Sequence, residues 1–273
     1  MKPYFYLVLM LACPFISFGQ TGPLTQTHGA ENQALGNIKV HNPHVWSIFN
    51  NVGALARISE SAIAVSYDQR YGLRDLSTLD FAAVIPGAKG SWGLGISRFG
   101  GKLFNQQSFG LGYSNQLGIV SMGLKAEWYQ TQIEGFGSAG CMIFSFGGIA
   151  ELSPDLFLGA HISNINRAKI SAASSERLPT AIQMGAHYQV EESLNLYLEI
   201  EKDISEKPVS KLGLSYSIQE WVILRTGINT QPSRLFFGLG ILPGRFAIHY
   251  AYGQNSALGA SHHLSLEMKW KED

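Results

Sequence analysis

Charge is scarce in this chain. Asp, Glu, Lys and Arg supply 15% of its 273 residues and balance to a formal net charge of zero, where soluble domains carry roughly 25%. No basic face is present, which excludes the usual footprint of a nucleic-acid partner. Cysteine is scarcer still, at two residues. Cys13 lies in the apolar N-terminal stretch and Cys141 stands alone beyond it, so a mature chain has no internal disulfide and no cysteine-based metal site. Cys141 reads as a small apolar packing residue. After the N-terminus no apolar run approaches the ~20 residues of a transmembrane helix, and no long stretch repeats apolar residues at i, i+3, i+4. A nucleophile elbow, a phosphate loop and a zinc-ligand helix are all missing. His262 and His263 are adjacent, so in a strand they point to opposite sides and make a poor metal pair. The expectation is a non-enzymatic protein with no cofactor and no metal.

Glycine is abundant, at 30 residues, and aromatics make up 11%. The opening "MKPYFYLVLMLACPFISFGQ" places Lys2 before an apolar stretch that ends in small residues. It reads as a secretory signal peptide over residues 1–20, cut near Gly19 or Gln20. Residues 21–57 form a second zone with Pro23, Pro43, several asparagines and little periodicity. From about Glu60 to the end, over 58–273, short alternating segments follow one another between Gly, Pro, Asn, Asp and Ser.

About fourteen strands can be counted, from 60–71 to 261–271, among them 138–150 and 156–167. Most run longer than the roughly 5–6 residues of soluble strands and match the roughly 9–11 of a membrane-spanning strand. "SMGLKAEW" sets Met122, Leu124, Ala126 and Trp128 against Ser121, Gly123, Lys125 and Glu127. "KLGLSYSI" and "HHLSLEMKW" alternate in the same way. Trp92, Trp128, Tyr188, Tyr216, Trp221, Tyr252 and Trp270 fall near strand ends, where amphipathic rings suit the two membrane interfaces. Short connections such as "PGAKG", "NQLG" and "EES" alternate with longer ones such as "GLRDLST", "TQIEGFG" and "NRAKISAASSERLP". These features predict an all-β fold: a transmembrane antiparallel β-barrel of about 14 strands in the outer membrane of a Gram-negative bacterium, with lipid as its surroundings.

The face turned to the lumen is rich in glycine, including Gly93, Gly95, Gly112, Gly123, Gly213, Gly227 and Gly238. Strand glycines often mark close approach of another segment. Residues 21–57 hold Trp46, Ile48, Phe49 and Leu55, apolar side chains in need of burial, so this zone is expected to fill the barrel as a plug. Lumen charges of mixed sign, at Lys125, Glu127, Glu199, Glu201, Lys211, Arg225, Arg245, Glu267 and Lys269, predict internal pairing rather than an ion-selective ring.

Three stretches resemble a known group. "VWSIFNNVGALARI" is similar to the plug segment of FadL-like barrels, with Asn51, Val52, Gly53, Ala54, Leu55 and Ala56 on the family's Asn-Pro-Ala-Gly-Leu-Ala, Val52 standing where the family has proline. "RLPTAIQMGAHYQVEESLNLYLEIEKD" resembles its Leu-Pro strand and the acidic strand after it, and "LGASHHLSLEMKW" its last hairpin. The resemblance is strongest to the shorter PorV/PorQ-like outer-membrane proteins associated with type IX secretion. It implies fourteen strands and, for Asn51 and Gly53, a place in the plug. With so many strands, little chain is left for a ligand-capturing vestibule. The favoured expectation is an accessory subunit of an outer-membrane protein export or assembly complex, bound to a larger β-barrel or a lipoprotein. The alternative is a FadL-like channel for hydrophobic small molecules.

Overall fold

The computed structural model describes residues 26–40, 43–170, 177–204 and 206–270. The expected signal peptide and Cys13 lie outside the described residues. From Ser61 onward, fourteen strands form one closed antiparallel barrel. They are β1 (Ser61–Gln69), β2 (Ser77–Gly87), β3 (Gly90–Gly100), β4 (Phe104–Leu117), β5 (Val120–Ile133), β6 (Gly137–Ser153) and β7 (Leu156–Ile162), then β8 (Ala181–Glu191), β9 (Leu194–Asp203), β10 (Val209–Gln219), β11 (Val222–Thr230), β12 (Ser233–Ile241), β13 (Phe246–Asn255) and β14 (Gly259–Trp270). Each strand pairs with its sequence neighbours. β1 closes the ring against β14 in a register running from Ser61↔Trp270 to Gln69↔His262. The all-β barrel expected from the sequence is therefore the fold.

The period-2 pattern sorts residues between two environments. On β5, Met122, Leu124 and Trp128 are exposed while Ser121, Gly123, Lys125, Glu127 and Tyr129 are buried. On β14, Leu264 and Leu266 are exposed while His263, Ser265 and Glu267 are buried. This inverts a soluble protein: the apolar face points out and the polar face points in. Leu124 is 62% exposed and Leu198 56%, and the outward leucines, isoleucines and phenylalanines continue around the ring. An apolar belt of this extent has no stable home in water, whereas lipid suits it. Trp92, Tyr188, Tyr216, Trp221 and Trp270 stand toward the end that holds both barrel termini, and Trp128 and Tyr252 toward the other. The rings thus mark two levels, as the sequence suggested.

At the terminus-bearing end the turns are minimal, at 88–89, 118–119, 154–155, 192–193 and 220–221, with a longer one at 242–245. The opposite end departs from expectation. Its connections at 101–103, 134–136, 231–232 and 256–258 are nearly as tight, 204–208 is intermediate, and 70–76 and 163–180 are long. The reason is that strands run on through sequence that reads as loop: β6 has 17 residues. β7 does the reverse and stops at Ile162 after 7 residues, short of the 156–167 expected. Above it, the chain caps the edge of β6 without being a strand. The Ile165 N–H donates to the Phe144 carbonyl at 2.9 Å. The Asn166 side chain accepts from the Phe144 N–H at 3.1 Å and donates to the Met142 carbonyl at 2.8 Å. One amide side chain thereby does the work of a strand residue.

Leu124 tests the facing assignment. Leu124→Arg sets a cation in the lipid belt, at a cost of roughly 2–4 kcal/mol near the midplane. It should sharply lower the yield of barrel that migrates anomalously on unheated gels, and Leu124→Phe should not. Equal yields would place Leu124 outside the lipid belt.

Candidate functional site: the barrel interior and its mouth

The interior is occupied by residues 26–40 and 43–57, which carry helix α1 (Ala30–Ala34), helix α2 (Ser47–Asn50) and a 3₁₀ turn (Val52–Arg57). Neither helix is long enough to hold itself in water. They persist because the barrel wall buries them. Trp46, Val52 and Leu55 have no exposed surface, and with Ile48, Phe49 and wall residues Ala62, Ala64, Ala82 and Val84 they form one apolar cluster.

The wall's glycines receive this segment. A Cβ on Gly95 would lie 2.7 Å from Phe49 Cζ, one on Gly93 2.8 Å from Leu55 Cδ1, and one on Gly213 2.8 Å from the Leu35 carbonyl oxygen. A Cβ on Gly53 itself would run into the backbone of Gly147 and Gly148. At Gly213 and Gly53 the obstruction is backbone and leaves no room for a side chain, while at Gly93 and Gly95 the neighbouring side chain would have to shift.

Each residue singled out from the sequence can be placed. Trp46 and Phe49 stack loosely, with centroids 6.5 Å apart, and Phe49 stacks on His28 at 4.2 Å. Asn51 accepts from the Gly53 N–H at 3.1 Å, starting the 3₁₀ turn, and donates to the Val40 carbonyl at 2.9 Å and the Gly148 carbonyl at 3.2 Å. It ties both halves of the segment to β6. Lys125 meets Glu127 at 2.8 Å. Glu199 accepts from Lys211 Nζ at 2.7 Å and from the Lys39 and Val40 N–H groups at 2.7 and 3.0 Å. Lys211 also meets Glu201 at 2.7 Å, and Lys39 meets the same carboxylate at 3.2 Å. Glu267 lies 3.4 Å from Lys269, whose own side chain is 43% exposed at the rim. One expectation fails: Arg245 is not in the lumen but exposed in the 242–245 turn, because β13 begins only at Phe246. Cys141 is half-buried on the inner face opposite Tyr129.

Arg225 belongs to a cluster that the sequence reading missed. Glu31, on α1, lies 3.0 Å from His44 Nδ1, 3.7 Å from His249 Nε2 and 3.8 Å from Arg225 Nη2. Burial pushes the Glu31 carboxyl up, but His44, His249 and Arg225 outweigh it and hold the group down at about 2. Glu31, His249 and Glu267 bring ligand-type atoms within 4.8 Å of one another. Arg225, 3.2 Å from His249 Nδ1, already supplies a cation there. Only Glu267 and Arg225 were visible as charges within strands. Glu31 and His44 lie in the zone without periodicity, where no pattern assigns a facing.

At the long-loop end, above α1, the interior opens into a cavity with about 790 Å³ of empty space, part of it open to solvent. Gln26, Arg70, Tyr71, Asn229, Arg234 and Phe236 are among its walls.

No protein-family model matches the chain, and no curated protein matches it. Solved structures do match. The toluene transporter TodX of Pseudomonas putida aligns with 89% of this chain and 96% of its own, at 11% identity and a TM-score of 0.65. The toluene transporter TbuX of Ralstonia pickettii aligns with 90% and 99%, at 10% identity and a TM-score of 0.67. The CymD monoaromatic hydrocarbon channel aligns with 89% and 98%, at 11% identity and a TM-score of 0.66. At such identities the likeness is one of fold. It supports the FadL-like half of the resemblance and gives none to the PorV/PorQ half. The expected accessory subunit of an export complex is overturned, because the matching barrels are channels and transporters. The physical premise behind that expectation also fails. It assumed too little chain for a capturing cavity, yet a cavity is present, walled by strand ends, the N-terminal segment and the start of the 70–76 connection.

Two substitutions probe how the segment is held. Gly53→Ala forces a methyl into the β6 backbone, and overpacking of this kind costs about 1–3 kcal/mol. Glu31→Gln leaves His44 and Arg225 without their carboxylate, and breaking a buried pair costs about 3–5 kcal/mol. Each should make residues 26–57 susceptible to added protease while the barrel keeps its gel shift. Unchanged protection in both would show that neither contact holds the segment.

Proposed function

We propose that this chain is a FadL-like outer-membrane channel for hydrophobic small molecules, of the monoaromatic kind, and not an enzyme. One observation carries the reading: about nine-tenths of the chain superposes on channels and transporters for such compounds. The lipid-facing belt agrees with an outer-membrane site, and outer-membrane lipid is the partner the reading requires. On this reading residues 21–57 act as a plug. The wall offers a low point above β7, where Asn166 rather than a strand closes the edge of β6, and the side chains outside it, Phe144 and Ile165, are apolar.

The test is entry of radiolabelled toluene into cells that produce the protein in a host without such channels. Faster entry than in cells with the empty vector is expected, and no difference would reject hydrocarbon transport. The plug is tested separately in planar bilayers. The intact protein should show little steady ion conductance, and deletion of residues 24–56 should raise it. Large stable currents from the intact protein would reject the plug.

A further inference from the structure

Most charges inside the barrel are answered by an opposite charge. Lys39 and Lys211 share Glu199 and Glu201, Lys125 meets Glu127, and Arg57 meets Glu151 at 2.7 Å. The cavity at the long-loop end breaks this pattern. Arg70 is only 8% exposed, yet among the described residues its guanidinium has no ion pair and no hydrogen bond. Asp68 beside it is already engaged: His263 Nδ1 lies 3.0 Å from one oxygen, and the Gln26 and Gln33 amides donate to the other at 3.4 Å. Arg234 sits over the Tyr71 ring, 5.7 Å from its centroid, and its buried Nε meets no acceptor among the described residues. Two acceptors are orphaned as well. Asn229 and Gln26 are 8% and 7% exposed, and their side-chain oxygens meet no donor among the described residues.

All four side chains line the same cavity. A buried polar group without a partner is costly and calls for an explanation, an unseen ligand among them. Two guanidiniums without a full counter-charge fit a planar carboxylate, which can take parallel N–H donors. Two amide oxygens nearby need O–H donors, which a bare anion or a hydrocarbon lacks. We propose that this cavity binds a small hydroxylated carboxylate such as a sugar acid, its carboxylate on Arg70 and Arg234 and its hydroxyls donating to Asn229 and Gln26. The Tyr71 and Phe236 rings give its carbon skeleton apolar walls. This site does not rest on the hydrocarbon-channel reading, and toluene entry does not report on it.

The experiment is calorimetric titration of the full mature protein in detergent with D-glucuronate, set beside D-glucose, inorganic phosphate and benzoate in the same buffer. Saturable glucuronate binding, tighter than that of the other three, is expected. Arg234→Gln should weaken it about tenfold or more, the loss of one charge-assisted contact. Asn229→Asp, which sets a carboxylate against the ligand's own, should weaken it as well. Both variants are first checked for the gel shift of a folded barrel. Absence of glucuronate binding overturns the proposal. So does glucose bound equally, which shows that charge is not read. Phosphate bound equally leaves an adventitious ion only, and benzoate bound more tightly shows that hydroxyls are not read. Unchanged affinity in both folded variants would move the ligand elsewhere. The comparison of ligands on the unaltered protein decides even where a variant does not assemble.

Discussion

A backbone N–H or C=O that faces lipid has nothing to bond except another backbone or a side chain of the same protein, and each one left alone costs several kcal/mol. The rest of this structure follows from that requirement. It forces every strand to have two neighbours, and so forces β1 onto β14. It also explains Asn166. Where β7 ends early, the carbonyl of Met142 and the N–H of Phe144 lose the strand that would have answered them. An asparagine side chain, with one acceptor and one donor spaced like a peptide unit, replaces it.

Closing the ring creates a second problem, since a fourteen-stranded barrel encloses more space than its own inward side chains fill. This chain solves it with a segment that cannot fold alone. Glycines on the inner wall lower the surface at the points where α1, α2 and the 3₁₀ turn press against it. The segment's charges are then matched by charges of the wall: Glu31 by Arg225 and His249, Lys39 by Glu201, Arg57 by Glu151. Such pairs contribute modestly to net stability once desolvation is counted, but breaking one is expensive. They therefore fix the position of the segment more than they strengthen it.

The barrel was legible because it depends on local alternation. Leu124 beside Lys125, or Leu266 beside Glu267, states its own facing without help from any distant residue. Strand count, closure and aromatic levels follow from the same signal. The interior was legible only in part. Lys125–Glu127 and Lys211–Glu199 are wall-to-wall pairs, and their facing could be read from strand parity. His44 and Glu31 pair through a segment with no period, so nothing in the sequence indicates that they meet. Loop lengths misled because Thr131, Gln132, Ile133 and Gly137 read as part of a loop, whereas they extend β5 and β6. Arg245 misled because strand parity was extended past the point where β13 begins. The accessory role misled for a different reason. It took the room for a cavity from loop length, whereas this cavity is walled by strand ends and by Gln26, Gln33 and Asn37 as well as by the 70–76 connection.

The filled interior constrains any transport by this barrel. Along the axis, a solute entering at the cavity meets Lys211 with its two carboxylates, then Leu35 pressed on Gly213 and Gly227. An apolar molecule cannot replace those ion pairs, so the axial path is open to it only if residues 26–57 move and leave several buried charges unmatched. The low wall above β7 imposes a smaller demand. Among the described residues it is held to β6 by two bonds of the Asn166 amide and one from Ile165, and the exposed face beyond is already apolar. A hydrophobic solute is thus better served by the side of this barrel than by its floor. The unmatched arginines at the mouth suit a different, polar molecule, which the ionic layer beneath would hold rather than pass.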